Sequence, residues 1–223
     1  MRRFRDRTDA GRRLAVALAG YAGRDAVVLA LPRGGVPVAA EVATALHAPL
    51  DLVLVRKIGL PDQPELAMGA VVDGAAPIVV RNADILALGH VDKAAFDTAC
   101  RRELAEIERR RARYIGARPR APIAGRVVIV VDDGIATGAT VKAALEAVRQ
   151  RGPTELVLAV PVAPADALAE LTPEVDACVC LLTPEPFGAI GYFYDDFTQV
   201  TDGAVEAALA RCPVARPGAD QRA

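Results

Sequence analysis

The chain has 223 residues, 52% hydrophobic and 25% charged, which is enough to bury one substantial core. A formal net charge of −1 provides no broad basic field for nucleic acid, and no apolar run approaches the roughly 20 residues that a membrane span needs. The four cysteines follow no metal-ligand spacing and the charged amino terminus leads into no long apolar run, so the expectation is a reduced, cytoplasmic protein without a signal peptide.

In chain order, Thr8 is the predicted N-cap of a helix to about Tyr21, with Leu14, Leu18 and Tyr21 on one face. Residues 25–31 read as a buried strand, Pro32-Arg33-Gly34-Gly35 as a tight turn, and residues 36–46 as a helix. Leu50 to Val55 is the next strand. Residues 66–72 and 78–81 are weaker strands, paired as a hairpin about Asp73-Gly74. A long helix runs from Val91 to about Ile115. Its arginines (101, 102, 109, 110, 111 and 113) interleave with Glu103, Glu106 and Glu108 at helical spacing. That pattern reads as a solvated, ion-paired face, with a subunit contact, and hence a homodimer, as the alternative.

A Pro-containing connector at 117–122 leads to a strand at 127–131 and a helix from about Val141 to Arg151. A strand at 156–160, a short helix near Ala165 and a strand at 177–182 complete the alternation. Continuous apolar strands alternating with helices specify an α/β fold, a central parallel sheet flanked by helices. The expectation is one domain over residues 1–212, followed by a frayed tail at 213–223. Cys178 and Cys180 alternate on one strand face and read as free thiols. His47 and His90 have no catalytic partners at a recognisable spacing.

The most informative stretch is residues 128–140. Val128 to Val131 are apolar, Asp132 and Asp133 follow at the strand's carboxyl end, and Ala136-Thr137-Gly138-Ala139-Thr140 forms a small, hydroxyl-bearing turn into a helix. Such a turn offers backbone N–H groups, two threonine hydroxyls and a helix N-terminus to one anion. Gly138 lets the backbone approach closely. The acid pair is unsuited to phosphate but suited to accepting hydrogen bonds from two neighbouring ribose hydroxyls. The pattern therefore reads as a sugar-phosphate site.

This segment resembles the phosphoribosyl-pyrophosphate motif of type I phosphoribosyltransferases, departing at Gly134, where a bulkier residue is common. The resemblance implies that fold, with a small C-terminal hood mainly at 183–200. It implies transfer of ribose 5-phosphate from phosphoribosyl pyrophosphate to a small nitrogen acceptor, with Mg²⁺ bound alongside the substrate. It places Asp132 and Asp133 on the ribose, residues 136–140 on the 5′-phosphate, and Arg33, Gly34 and Gly35 on pyrophosphate. Arg56-Lys57, expected at the end of the second strand, would balance the pyrophosphate charge. A flexible lid is expected over Gly59 to Asp73, with Glu65 as the catalytic carboxylate.

Five of the nine aromatic residues fall between Phe187 and Phe197. Ile190-Gly191-Tyr192-x-x-Asp195 resembles the hood run of hypoxanthine-guanine enzymes, which places Ile190, Tyr192 and Asp195 at the base; a packed aromatic mini-core is the structural alternative. Ala136 occupies the place of the acid that those enzymes carry in the turn, as in adenine and orotate enzymes. A regulatory protein that binds the same ligands without catalysis is the second functional reading.

Overall fold

Apolar runs of five or more residues have to be covered on both faces, and here helices and a second sheet cover them. The structure is a computed structural model describing residues 3–60, 63, 66–74, 77–89 and 91–214. Its elements are α1 (Arg7–Ala17), β1 (Ala26–Ala30), α2 (Gly35–Leu46), β2 (Leu50–Leu52), β3 (Val55–Gly59), β4 (Ala67–Val72), β5 (Ile78–Arg81), α3 (Ala83–Leu88), α4 (Lys93–Tyr114), β6 (Val127–Val131), α5 (Ala139–Arg149), β7 (Glu155–Val162), α6 (Ala165–Leu171), β8 (Ala177–Leu182) and α7 (Asp202–Arg211).

Five strands form a parallel sheet in the order β2-β1-β6-β7-β8. β1 and β6 lie in register from Ala26 opposite Val127 to Ala30 opposite Val131, so both chains leave the sheet side by side. Alternate residues serve two cores. Val28, Ala30, Ile129 and Val131 pack with α1, α2 and α7, while Val27, Leu29, Val128 and Val130 pack with α5. All eight are at most 2% exposed. Each buried valine, leucine or isoleucine here contributes about 1.5–3 kcal/mol.

The expected strand from Leu50 to Val55 is in fact two. After Leu52 the chain leaves the parallel sheet, and β3 pairs with β4 in a separate antiparallel sheet, β3-β4-β5. An apolar run cannot show which of two buried sheets it joins, so the break is invisible in the pattern. The predicted hairpin holds, with Val72 opposite Ile78.

The same sheet takes up part of the expected lid, while Pro61, Asp62 and Pro64 of that segment lie outside the described residues. Residues 67–72 are a paired strand, with Met68, Val71 and Val72 fully buried. Glu65 lies outside the described residues, as do His90 and the tail from 215.

Helical elements differ from expectation as well. The first helix is capped by Asp6, whose carboxylate accepts the Asp9 N–H at 2.7 Å, and it ends at Ala17. α3 precedes the long helix, which begins at Lys93 behind the N-cap Asp92. α7 was not expected, although Thr201 caps it and Val205, Ala208 and Leu209 form its buried face. Along α4 the charged face is only partly solvated: Glu106 is held near pKa 2 by hydrogen bonds from Arg109 and Arg110, whereas Glu103 is buried against Arg56.

Candidate functional site

The loops leaving β1 and β6 form the site. The Leu31 N–H donates to Val131 O at 3.0 Å, which clamps the two strand ends together. The Pro32–Arg33 peptide is cis, and Gly34 and Gly35 open α2. A methyl group at Gly34 would lie 2.6 Å from Asp133 Cγ, and one at Gly35 would lie 2.7 Å from Val131 O. These glycines therefore let the two loops touch.

Beside them is a cavity of about 180 Å³ lined by Asp132, Gly134 and residues 135–141. Gly138, at φ +74°, makes the left-handed turn into α5, and no side chain caps that helix. Among the described residues, the N–H groups of 136–141 donate to no protein acceptor, the first bond being Lys142 N–H to Gly138 O at 2.8 Å. A ring of free donors at an uncapped helix start favours an anion. Ala136, Thr137 and Ala139 are exposed, and Gly138 and Thr140 are half-buried.

The acid pair is not symmetrical. Asp132 is half-buried and lines the cavity. Burial, followed by the adjacent Asp133 charge, pushes its carboxyl well above the usual aspartate range. Asp133 is buried on the other side, where Arg7 Nε donates to its Oδ2 at 2.7 Å. Burial raises Asp133 too, while Arg7 pulls it back toward the anion. The Asp133 N–H donates to Asp132 Oδ1 at 2.9 Å, and the Tyr194 hydroxyl donates to Asp133 O at 2.6 Å. Arg7 and Tyr194 had no signal in the sequence, because each lies more than 60 residues from its partner.

Arg33 is half-buried, and its guanidinium reaches Asp202 at the start of α7, 3.4 Å away. The Tyr114 hydroxyl at 2.6 Å and Arg113 at 2.7 Å hold the same carboxylate below its usual range.

Arg56 and Lys57 are not at the end of a parallel strand, as expected, but in β3 of the other sheet. Arg56 Nε donates to Glu103 at 2.8 Å. Counted along α4, Glu103 lies about 15 Å from Arg113, at 1.5 Å per residue. Arg56 is therefore engaged away from the Arg33 loop. Lys57 is exposed and borders a cavity of about 360 Å³ that reaches Ala139 and Lys142.

The hood is largely a small core. Phe4, Phe193 and Tyr194 are buried, Phe4 pairs with Tyr194 at 5.3 Å, and Phe187 with Phe193 at 5.5 Å. Ile190 sits on the bare backbone of Gly134, where a methyl would lie 2.6 Å from its Cγ2. That contact gives a reason for glycine at the position where the motif departs. Tyr192 is 66% exposed, and Asp195 is exposed with its N–H bonded to Phe4 O at 2.8 Å.

Among the described residues, no three His, Cys, Asp or Glu side chains converge as a metal cage, and no helix is long and apolar enough to cross a membrane.

Comparison with known proteins places this geometry. Residues 5–195 match the phosphoribosyl transferase domain. The crystal structure of TT1426 from Thermus thermophilus superposes with a TM-score of 0.80 at 47% identity, covering 93% of this chain and 97% of that one. Rv0571c of Mycobacterium tuberculosis H37Rv, which bears a provisional phosphoribosyl transferase name, is 50% identical over 211 residues, 95% of this chain and 47% of its own. The chain thus spans about half the length of the curated relatives it matches. A hypothetical protein from Neisseria gonorrhoeae, crystallised with bound ppGpp, has a TM-score of 0.50 at 15% identity over 92% of this chain and 91% of its own, a likeness of fold alone. With its parallel sheet, its strand–acid pair–turn–helix segment and a family match over most of its length, the chain belongs to the type I phosphoribosyl transferase family.

Proposed function

We propose that this domain transfers the ribose 5-phosphate unit of phosphoribosyl pyrophosphate to a nitrogen acceptor and releases pyrophosphate. The observation that carries the reading is the cavity bounded by Asp132 and the uncapped turn 136–141, beside the Arg33-Gly34-Gly35 loop on the neighbouring strand. In this reading the free N–H groups of the turn, with the Thr137 and Thr140 hydroxyls, hold the 5′-phosphate. Asp132 accepts from ribose hydroxyls, and Arg33 with the Gly34 and Gly35 amides receives pyrophosphate. Lys57 approaches from the other side of the turn.

The transition state has oxocarbenium character, so these groups act mainly by positioning and by stabilising the departing negative charge. An Mg²⁺ ion would enter on the substrate's own oxygens, with Asp132 the carboxylate that lines the cavity, and would neutralise pyrophosphate charge. Ile190, Tyr192 and Asp195 are the proposed acceptor contacts, with a purine base the favoured acceptor. Ala136 leaves the turn without an acid, so removal of the acceptor's proton falls to Glu65 or to solvent.

A pyrophosphate-release screen over bases and amines, with phosphoribosyl pyrophosphate and Mg²⁺, tests the proposal. Release that depends on one acceptor class is the expected result. Ligand binding without release across the panel would reject transfer in favour of a non-catalytic regulatory role.

A further inference from the structure

We propose that Arg7 is a positioning residue that ties the hood to the sugar-phosphate site through Asp133, leaving Asp132 as the one acid of the pair that meets the sugar. The second half rests on the transfer reading above; the coupling itself does not. Arg7 is 11% exposed and divides its guanidinium between two segments. Its Nε donates to Asp133 Oδ2 at 2.7 Å, and its Nη1 donates to Thr198 O at 2.8 Å. Its Cζ lies over the Phe197 ring, 3.9 Å from the centroid. Phe197 in turn pairs with Tyr194 at 5.0 Å, and the Tyr194 hydroxyl returns to Asp133 O.

A closed circuit results: Asp133, Arg7, Phe197, Tyr194 and back to Asp133. It joins α1, the acid loop and the hood, and Gly34 of the neighbouring loop lies against the same carboxylate. Asp133 is therefore enclosed by Arg7, Gly34 and Tyr194, while Asp132 alone of the pair lines the cavity. The forked guanidinium is essential to the arrangement, because one rigid group must satisfy a carboxylate and a carbonyl while stacking on a ring. A lysine can keep the charge at Asp133 but cannot serve all three.

The test is hydrogen exchange on the ligand-free wild type, Arg7→Lys and Arg7→Gln, with ribose 5-phosphate titrations alongside. Two sets of amides report separately. Asp195 and Asp196 donate to Phe4 O and Arg5 O in the hood, and Ile135 donates to Val162 O behind the acid loop. Arg7→Gln should speed exchange in both sets about tenfold and weaken ribose 5-phosphate by a similar factor, as one buried charge-assisted bond is lost. Arg7→Lys should speed the hood amides while Ile135 stays protected and ribose 5-phosphate affinity stays within about twofold.

Faster exchange everywhere, including the β7 core, would mean general loss of stability and would overturn the proposal. Unchanged hood exchange in Arg7→Gln would overturn it equally. Wild-type protein that fails to bind ribose 5-phosphate would reject the sugar-phosphate reading and Asp132's part in it, with the exchange data still deciding the coupling.

Discussion

Replacing Gly34 by alanine sets two effects of opposite sign against each other. Gly34 lies in right-handed helical backbone, at φ −58° and ψ −42°. On local conformation alone, alanine there should stabilise by about 0.4–1 kcal/mol. The methyl, however, would sit 2.6 Å from Asp133 Cγ and 2.8 Å from its Oδ1. Relief requires that carboxylate to leave Arg7, and both side chains of the pair are only 11% exposed. Separating a buried pair costs about 3–5 kcal/mol, so the net expectation is a loss of roughly 2–4 kcal/mol. Urea unfolding midpoints measure it, with the slope checked for constancy. The same substitution in an Asp133→Ala background should turn neutral or stabilising, because the colliding carboxylate is gone. Equal destabilisation in both backgrounds, or a tolerated Gly34→Ala in the wild type, would refute the reasoning.

Arg33→Ala should weaken pyrophosphate far more than a nucleoside monophosphate, because Arg33 stands on the loop opposite the phosphate turn; equal losses by calorimetry would count against that placement. The free protein should show slow hydrogen exchange over residues 67–72, since β4 is paired on both sides; fast exchange there would restore a long lid. Asp132→Asn should stabilise the free protein at neutral pH. A carboxyl raised above its unfolded value binds more protons in the folded state, so stability falls as pH rises from the ordinary value of 3.8 through the folded one. The variant's advantage should therefore be larger at neutral pH than in acid and shrink as pH falls toward 3.8; an advantage that grows on acidification would contradict the sign.

Much of the architecture was legible because continuous apolar strands have few ways to be covered. The segment 128–140 was legible because the turn's chemistry is local: small residues, two hydroxyls and a glycine within one loop. The break after Leu52 was not, because Val53 and Leu54 are as apolar as the strands they separate. Arg56-Lys57 was misplaced for the same reason. α7 carried a readable signal, a threonine cap and apolar residues at helical spacing, and with it Asp202, the partner of Arg33. The Arg7–Asp133 pair spans 126 positions, and no periodicity or motif encodes a contact at that range. The distinct environments of Asp132 and Asp133 follow from that contact, so two adjacent identical residues became distinguishable only in three dimensions.

The central claim is that Asp132 and the open turn beside it bind a sugar phosphate. Calorimetric titration of phosphoribosyl pyrophosphate with Mg²⁺, into wild type and Asp132→Asn, tests it most directly. The expected result is saturable binding by the wild type, weakened about 10- to 150-fold in the variant, corresponding to one charge-assisted contact of about 1.5–3 kcal/mol. Unchanged affinity in a folded Asp132→Asn protein, or no binding by the wild type, would contradict the claim.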